Sequence, residues 1–181
     1  TENFRLPVHI SGVYQVFVHT DARGEMLETS ETNNDDFTTP MTVQLKARPD
    51  LRVTTLTAPD TVTAGAVVDV EWVVSNLGTV ATPTGGSRWY DGVFLSLDNL
   101  YDGGDRLLGY LQNGSALASS EQYSSSDHFR LPDAVGGNIY ILVVADLWGA
   151  VDEHPSEANN ARARPVYVDV TPVPPPDLVV S

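Results

Sequence analysis

The chain has 181 residues, with 24 acidic against 10 basic side chains and a formal net charge of −14. That charge disfavours nucleic acid and anionic membranes as partners, and 41 % hydrophobic against 19 % charged residues excludes a disordered polyelectrolyte. With no cysteine, the fold must rest on its core or on bound metal, not on disulfides.

In chain order, the first 49 residues predict the last strands of a β-domain. Val13 to Val18 reads as a central strand, and Met41, Val43 and Leu45 lie on a final one. From residue 51 the apolar pattern has period two, interrupted by Gly, Pro and Asp clusters. Leu51–Leu56 is a first strand, closed by Pro59 and Asp60. Val68, Val70, Trp72 and Val74 alternate with polar residues, so Trp72 faces inward. Trp89 to Leu97 is a strand in which Trp89 shares parity with Val93 and Leu95. Arg106 to Tyr110 follows an acidic loop, and Gln122 to Leu131 alternates weakly through a serine-rich start. Ile139 to Ala145 is apolar on both faces, which marks a central strand. Val166, Val168 and Val170 complete a set of seven. The expected fold is all-β, an immunoglobulin-like antiparallel β-sandwich. Residues 171–176, with four prolines, should form an extended spacer. No apolar run is long enough to span a bilayer, so membrane insertion is not expected.

The chain also repeats itself out of phase. Phe4-Arg5-Leu6-Pro7 returns as Phe129-Arg130-Leu131-Pro132, Tyr14 as Tyr140, and Glu31-Thr32-Asn33-Asn34 as Glu157-Ala158-Asn159-Asn160. Pro40 returns as Pro165, and Pro49-Asp50-Leu51 as Pro176-Asp177-Leu178. A unit copied with small insertions signals a tandem array. Residues 1–49 are then the back half of one repeat, 50–170 a complete domain, and 171–181 a linker with the start of the next. A half-sandwich exposes an inner face and an unpaired edge. It should therefore self-associate or pack on the whole domain.

Two acidic clusters are candidate cation sites. Asp98, Asn99, Asp102 and Asp105 fall within eight residues beside Gly103 and Gly104, a donor set suited to Ca²⁺, which takes six to eight oxygens. The alternative is an acidic turn whose side chains bond their own backbone. Asp146, Asp152, Glu153, Glu157 and Asn159 form the second cluster, with Asp21, Glu28, Glu31 and the following Asn and Asp residues in the earlier copy. Here the pattern equally fits left-handed turns and side-chain-to-backbone bonds. The four histidines have no zinc-binding spacing, and no Gly-x-Ser-x-Gly elbow is present, so no catalytic site is expected. Tyr101 and Trp148 lie in predicted loops, where an aromatic face would contact a glycan or a cell-surface protein.

These landmarks resemble the CARDB family, the cell-adhesion-related domain of bacteria. The resemblance rests on Pro49-Asp50-Leu51, the strand end Trp72 to Gly78, the run Val93 to Asn99, Asp102 to Gly109, and the closing Glu-x-Asn-Asn. It implies immunoglobulin-type sandwiches strung in arrays within large exported proteins, often adhesins. The expected function is thus a non-catalytic extender of an extracellular or cell-surface protein, stiffened by Ca²⁺, with neighbouring repeats as its partners. The alternative is a module that binds a glycan or a protein through its loop aromatics.

Overall fold

A computed structural model describes residues 3–30, 32–84, 88–113, 116–153 and 155–170. The spacer expected at residues 171–176 lies outside these. The chain divides into two compact units, Thr1–Lys46 and Ala47–Ser181.

In the first unit, strand β1 (Gly12–Tyr14) pairs antiparallel with β4 (Met41–Val43), and β2 (Phe17–His19) with β3 (Asp35–Phe37). The single strand expected from Val13 to Val18 is broken at Gln15 and Val16. Thr38 causes the break. Its hydroxyl accepts from the Val16 N–H at 2.9 Å, and its own N–H donates to the Val16 carbonyl at 2.9 Å. The side-chain bond replaces one rung of the ladder and shifts the register by one residue between the two pairs. The expected final strand ends at Val43, before Leu45, and residues 4–7 form no strand.

Among the described residues the second unit carries eight strands in two sheets. They are β5 (Leu51–Thr57), β6 (Thr61–Thr63), β7 (Val67–Asn76), β8 (Trp89–Ser96), β9 (Arg106–Asn113), β10 (Gln122–Arg130), β11 (Gly137–Val144) and β12 (Ala161–Asp169). One sheet runs β10-β7-β5 and the other β6-β12-β11-β8-β9. All pairs are antiparallel except β12 with β6. Among the described residues there is no helix. The architecture is the expected β-sandwich with one additional edge strand. That strand, β6, has three residues with one partly buried side chain and so carries no readable alternation.

The core forms between the sheets, as period two requires. Trp72, Val70 and Val74 of β7 meet Trp89, Val93 and Leu95 of β8 and Ile139, Ile141 and Val143 of β11, all buried. Trp72 and Trp89 both face inward, as parity indicates. β11 is paired on both edges, and its outward residues Leu142 and Val144 join Phe94 in a smaller cluster on the far side of the sheet. That second cluster explains why residues 139–145 are apolar on both faces. The serine-rich strand β10 pairs over its whole length with β7, from Gln122↔Ser75 to Arg130↔Val67. β12 begins earlier than the valine pattern suggests and ends at Asp169, leaving Val170 exposed.

The core holds one polar group that binds the sheets together. Asp91 of β8 is buried, and its Oδ2 accepts from Trp72 Nε1 at 2.8 Å and from the Tyr123 hydroxyl at 2.6 Å. Trp89 Nε1 donates in turn to the Tyr123 oxygen at 3.1 Å. Trp72 and Tyr123 belong to the three-stranded sheet, Asp91 and Trp89 to the five-stranded one. Burial pushes the Asp91 carboxyl above its ordinary range, opposed by the Tyr123 and Trp72 hydrogen bonds.

Candidate functional site

The first acidic cluster is the tip of the β8–β9 hairpin. Each of its three carboxylates accepts a backbone N–H of its own loop. Asp98 Oδ1 takes Leu100 N–H at 2.8 Å, Asp102 Oδ1 takes Gly104 N–H at 2.7 Å, and Asp105 Oδ2 takes Asp102 N–H at 2.8 Å. The Asp98 N–H donates to Ser96 Oγ at 3.2 Å. Neither Gly103 nor Gly104 has a positive φ. Gly104 serves by closeness instead, since a Cβ there would stand 3.1 Å from Asp102 Oδ1. Asn99 is exposed on the same tip. This is the geometry of the acidic turn. Among the described residues, no three Asp, Glu, His or Cys side chains form a group able to hold a metal ion. The set expected for Ca²⁺ is therefore not brought together.

The second cluster occupies the connection from β11 to β12, and it too consists of braces. Asp146 takes the left-handed conformation at φ 49°, and its two oxygens accept the N–H groups of Ala150 at 2.9 Å and Val151 at 2.7 Å. Gly149, at φ 63°, closes the turn by donating to the Asp146 carbonyl at 2.9 Å. Positive φ is costly for a residue with a Cβ, and an Asp accepts it more readily because its side chain bonds locally. The same turn stands in the first unit. Asp21 has φ 47°, Gly24 φ 61°, and the Asp21 oxygens accept the N–H groups of Glu25 at 2.8 Å and Met26 at 3.0 Å.

Glu153 is the most deeply buried member. Its Oε2 accepts the Leu51 N–H at 2.5 Å and its Oε1 the Asn160 amide at 3.0 Å, so it ties the start of β5 to the end of the connection. Glu157 accepts the Glu153 N–H at 2.7 Å. Asp152 pairs with Arg48, and the Asn159 amide donates to Asp50 at 3.0 Å. Asp152, Glu153 and Asn159 thus fasten the connection to the opening segment at Arg48, Leu51 and Asp50, while Asp146 braces its own turn.

What sequence could not show is that the two clusters share a cleft. A hollow of about 630 Å³ has Asn99, Tyr101 and Asp102 on one wall and Asp146, Glu157 and Asn160 on the other. Tyr101 leans on Phe94 at 5.0 Å between ring centroids. Trp148, in the Asp146–Gly149 turn, packs on Tyr90 at 4.8 Å and Tyr110 at 5.1 Å, and these two tyrosines lie 5.6 Å apart. Sequence reading does not single out Tyr110. Its signal is its place in β9, where it pairs with Gly92, diagonal to Tyr90.

Burial is the largest influence on Glu153 and pushes its carboxyl up to about 7. The Leu51 N–H and the Asn160 amide oppose the rise, while Glu157 and Asp146 add to it. The folded state then holds a proton that the unfolded chain releases above the ordinary range near 4.5, so stability falls as pH rises from about 4.5 to about 7. The loss attributable to Glu153 is on the order of 3 kcal/mol, at roughly 1.4 kcal/mol per pH unit. Asp146 and Asp91 are displaced in the same direction by burial and add to the slope. Urea midpoints between pH 4.5 and 8 should decline with pH, and more shallowly in Glu153→Gln. A midpoint that climbs with pH over this window contradicts the assignment.

A family model described as CARDB matches residues 48–164. The crystal structure of the CARDB domain of a Pyrococcus furiosus protein, in complex with di-metal ions, is similar at 23 % identity. That match covers 70 % of this chain and 98 % of that one, with a TM-score of 0.50. The solution structure of the same Pyrococcus furiosus domain matches at 25 % identity, over 68 % and 97 % of the two chains, with a TM-score of 0.49. A β-glucosidase from Listeria innocua matches at 13 % identity over 67 % of this chain and 16 % of its own, with a TM-score of 0.41. No curated protein matches. With well over half of its residues covered by the family model, and an all-β sandwich like that of the Pyrococcus furiosus domain, the chain belongs to the CARDB family.

Proposed function

We propose that the chain is a non-catalytic extender, one stretch of a tandem array of CARDB sandwiches in a large exported surface protein of the adhesin kind. The observation that carries this reading is the recurrence of one hairpin. The pairs Gly12↔Val43 and Gly137↔Val168 lie 125 residues apart on both strands, and each hairpin leads into the same Asp-braced turn. The ladder also corrects the sequence alignment, because with Gly12 matched to Gly137 the counterpart of Tyr14 is Ile139, one residue before Tyr140. In this reading residues 1–49 are the back half of one repeat, 50–170 a whole one, and 171–181 the passage to the next. Loops closed by their own side chains suit a stiff spacer. A net charge of −14 would keep a crowded surface array soluble.

The Pyrococcus furiosus domain was solved in complex with di-metal ions, whereas among the described residues here no three Asp, Glu, His or Cys side chains form such a group. Asp98, Asp102 and Asp105 each accept a backbone N–H. In the extender reading, the stiffening comes from those bonds.

A second reading, contact with a neutral glycan, is favoured by the Tyr90–Tyr110–Trp148 cluster, where Trp148 is 59 % exposed. An aromatic face of this kind stacks on the C–H face of a sugar. Retention on a neutral-glycan array that disappears in Trp148→Ala would support it, and the absence of any retention would remove it.

Small-angle scattering on chains carrying one, two and three copies of residues 47–176 tests the extender. Strands of about nine residues at ~3.3 Å each imply an added length of at least roughly 30 Å per copy. A maximum dimension that does not grow with copy number contradicts the proposal.

A further inference from the structure

In the second unit the first strands are stitched to the last one along its whole length. The Asn159 amide donates to Asp50 at 3.0 Å, and Glu153, earlier in the same connection, accepts the Leu51 N–H at 2.5 Å. Farther along, Arg164 of β12 donates to the Ala58 carbonyl at 2.9 Å and to Asp60 Oδ1 at 2.6 Å. The Tyr167 N–H donates to the Asp60 carbonyl at 2.9 Å, and β6 pairs parallel with β12 from Thr61↔Tyr167 to Thr63↔Asp169. The Ala64 N–H closes the series on the Asp169 carbonyl at 3.1 Å. Residues 50–64 and 159–169 therefore run side by side in the same direction.

That direction decides how a pull on the chain is met. The entry is fixed beside the start of β12: Arg48 pairs with Asp152, and Gly78 packs so closely on residues 48–50 that a Cβ there would stand 2.6 Å from the Asp50 nitrogen. The exit follows Asp169 at the far end of β12, roughly 30 Å away for nine residues at ~3.3 Å each. Tension on the two ends drags the entry segment and β12 past each other in opposite directions. Every bond of the seam is then loaded at once, whereas a hairpin pulled from its open end gives up its bonds one at a time. At rest the Arg164–Asp60 pair contributes little, because Asp60 is 89 % exposed and water screens it. Its place in the seam gives it a role that equilibrium stability does not measure.

We infer that the second unit bears tension, and that the seam of residues 48–64 against β12 and the connection before it is the element that carries the load. This inference rests on the extender proposed above and deepens it, because the array is then a tether as well as a spacer. Two substitutions cut the seam and spare the fold. Ala64 and Gly65, the latter at φ 71°, are the centre of a turn closed by the Ala66 N–H on the Thr63 carbonyl at 3.1 Å. A turn with positive φ at its second central position favours proline at the first, so Ala64→Pro keeps the turn and deletes the bond to Asp169. Arg164→Ala removes the bonds to Ala58 and Asp60.

The test is constant-force unfolding of the 181-residue chain held by its two ends, beside its unfolding rate without force from urea kinetics. Unfolding of residues 48–169 releases about 400 Å at ~3.3–3.6 Å per residue, which identifies the event. Ala64→Pro and Arg164→Ala should each shorten the lifetime under force at least ~10-fold while changing the force-free rate less than ~3-fold. Leu142→Ala, in the small cluster on the far side of the sheet, is the control, and its lifetime under force should change only by the factor seen without force. If Ala64→Pro and Arg164→Ala also change the lifetime only by their force-free factors, the inference is overturned. Scattering dimensions report on the array and lifetimes under force on the seam, so the two readings fail separately.

Discussion

One buried carboxylate fixes how the two sheets of the second unit face each other. Asp91 takes the Trp72 indole and the Tyr123 hydroxyl from the opposite sheet, and Trp89 closes the circuit through Tyr123. A hydrophobic core specifies burial but tolerates sliding, whereas these bonds specify one relative placement of β7, β8 and β10. Each donor left unpaired in such a site costs about 1–3 kcal/mol, so a slip of the sheets would forfeit several bonds together. The Asp146 N–H also reaches Asp91 Oδ1, at 3.4 Å, which links the core to the turn that begins the β11–β12 connection.

From that link outward, acidic side chains act as fasteners for backbone. Asp146 caps its turn, Glu153 holds the first N–H of β5, and Asp98, Asp102 and Asp105 close the β8–β9 tip. A domain without cysteine must immobilise its connections in some other way, and charge-assisted bonds to N–H groups are among the stronger means available. The high acidic content is thus partly structural. In the extender proposed above, loops braced in this way would hold their shape.

Much of the fold is legible in the residues, and particular features show why. Parity places Trp72 and Trp89 inward, and residues 139–145 read as central because both their faces are apolar. β6 escapes notice because a three-residue edge strand has no pattern to read. The Val13–Val18 strand reads as whole because the Thr38 hydroxyl that breaks it is distant in sequence. The site is legible in part. The acidic clusters stand out, with turn bracing among the readings, but nothing local shows that their two loops line one cleft. Glu153 looks like any surface acid, since its burial depends on Leu51, about a hundred positions away. The duplicated Asp-x-x-Gly, at Asp21 and Asp146, is visible in the residues, yet its meaning emerges only with the φ angles.

The central claim is that the loop acids are occupied by backbone and that the module is stiff without metal. Isothermal calorimetry of Ca²⁺ into the chelator-treated chain tests it directly, carried to the millimolar range in which weak extracellular sites fill. The account predicts no saturable heat and the same thermal midpoint with calcium as with chelator. Saturable binding that is lost in the Asp98→Ala/Asp102→Ala double variant would contradict it, and would make the hairpin tip a metal-dependent joint.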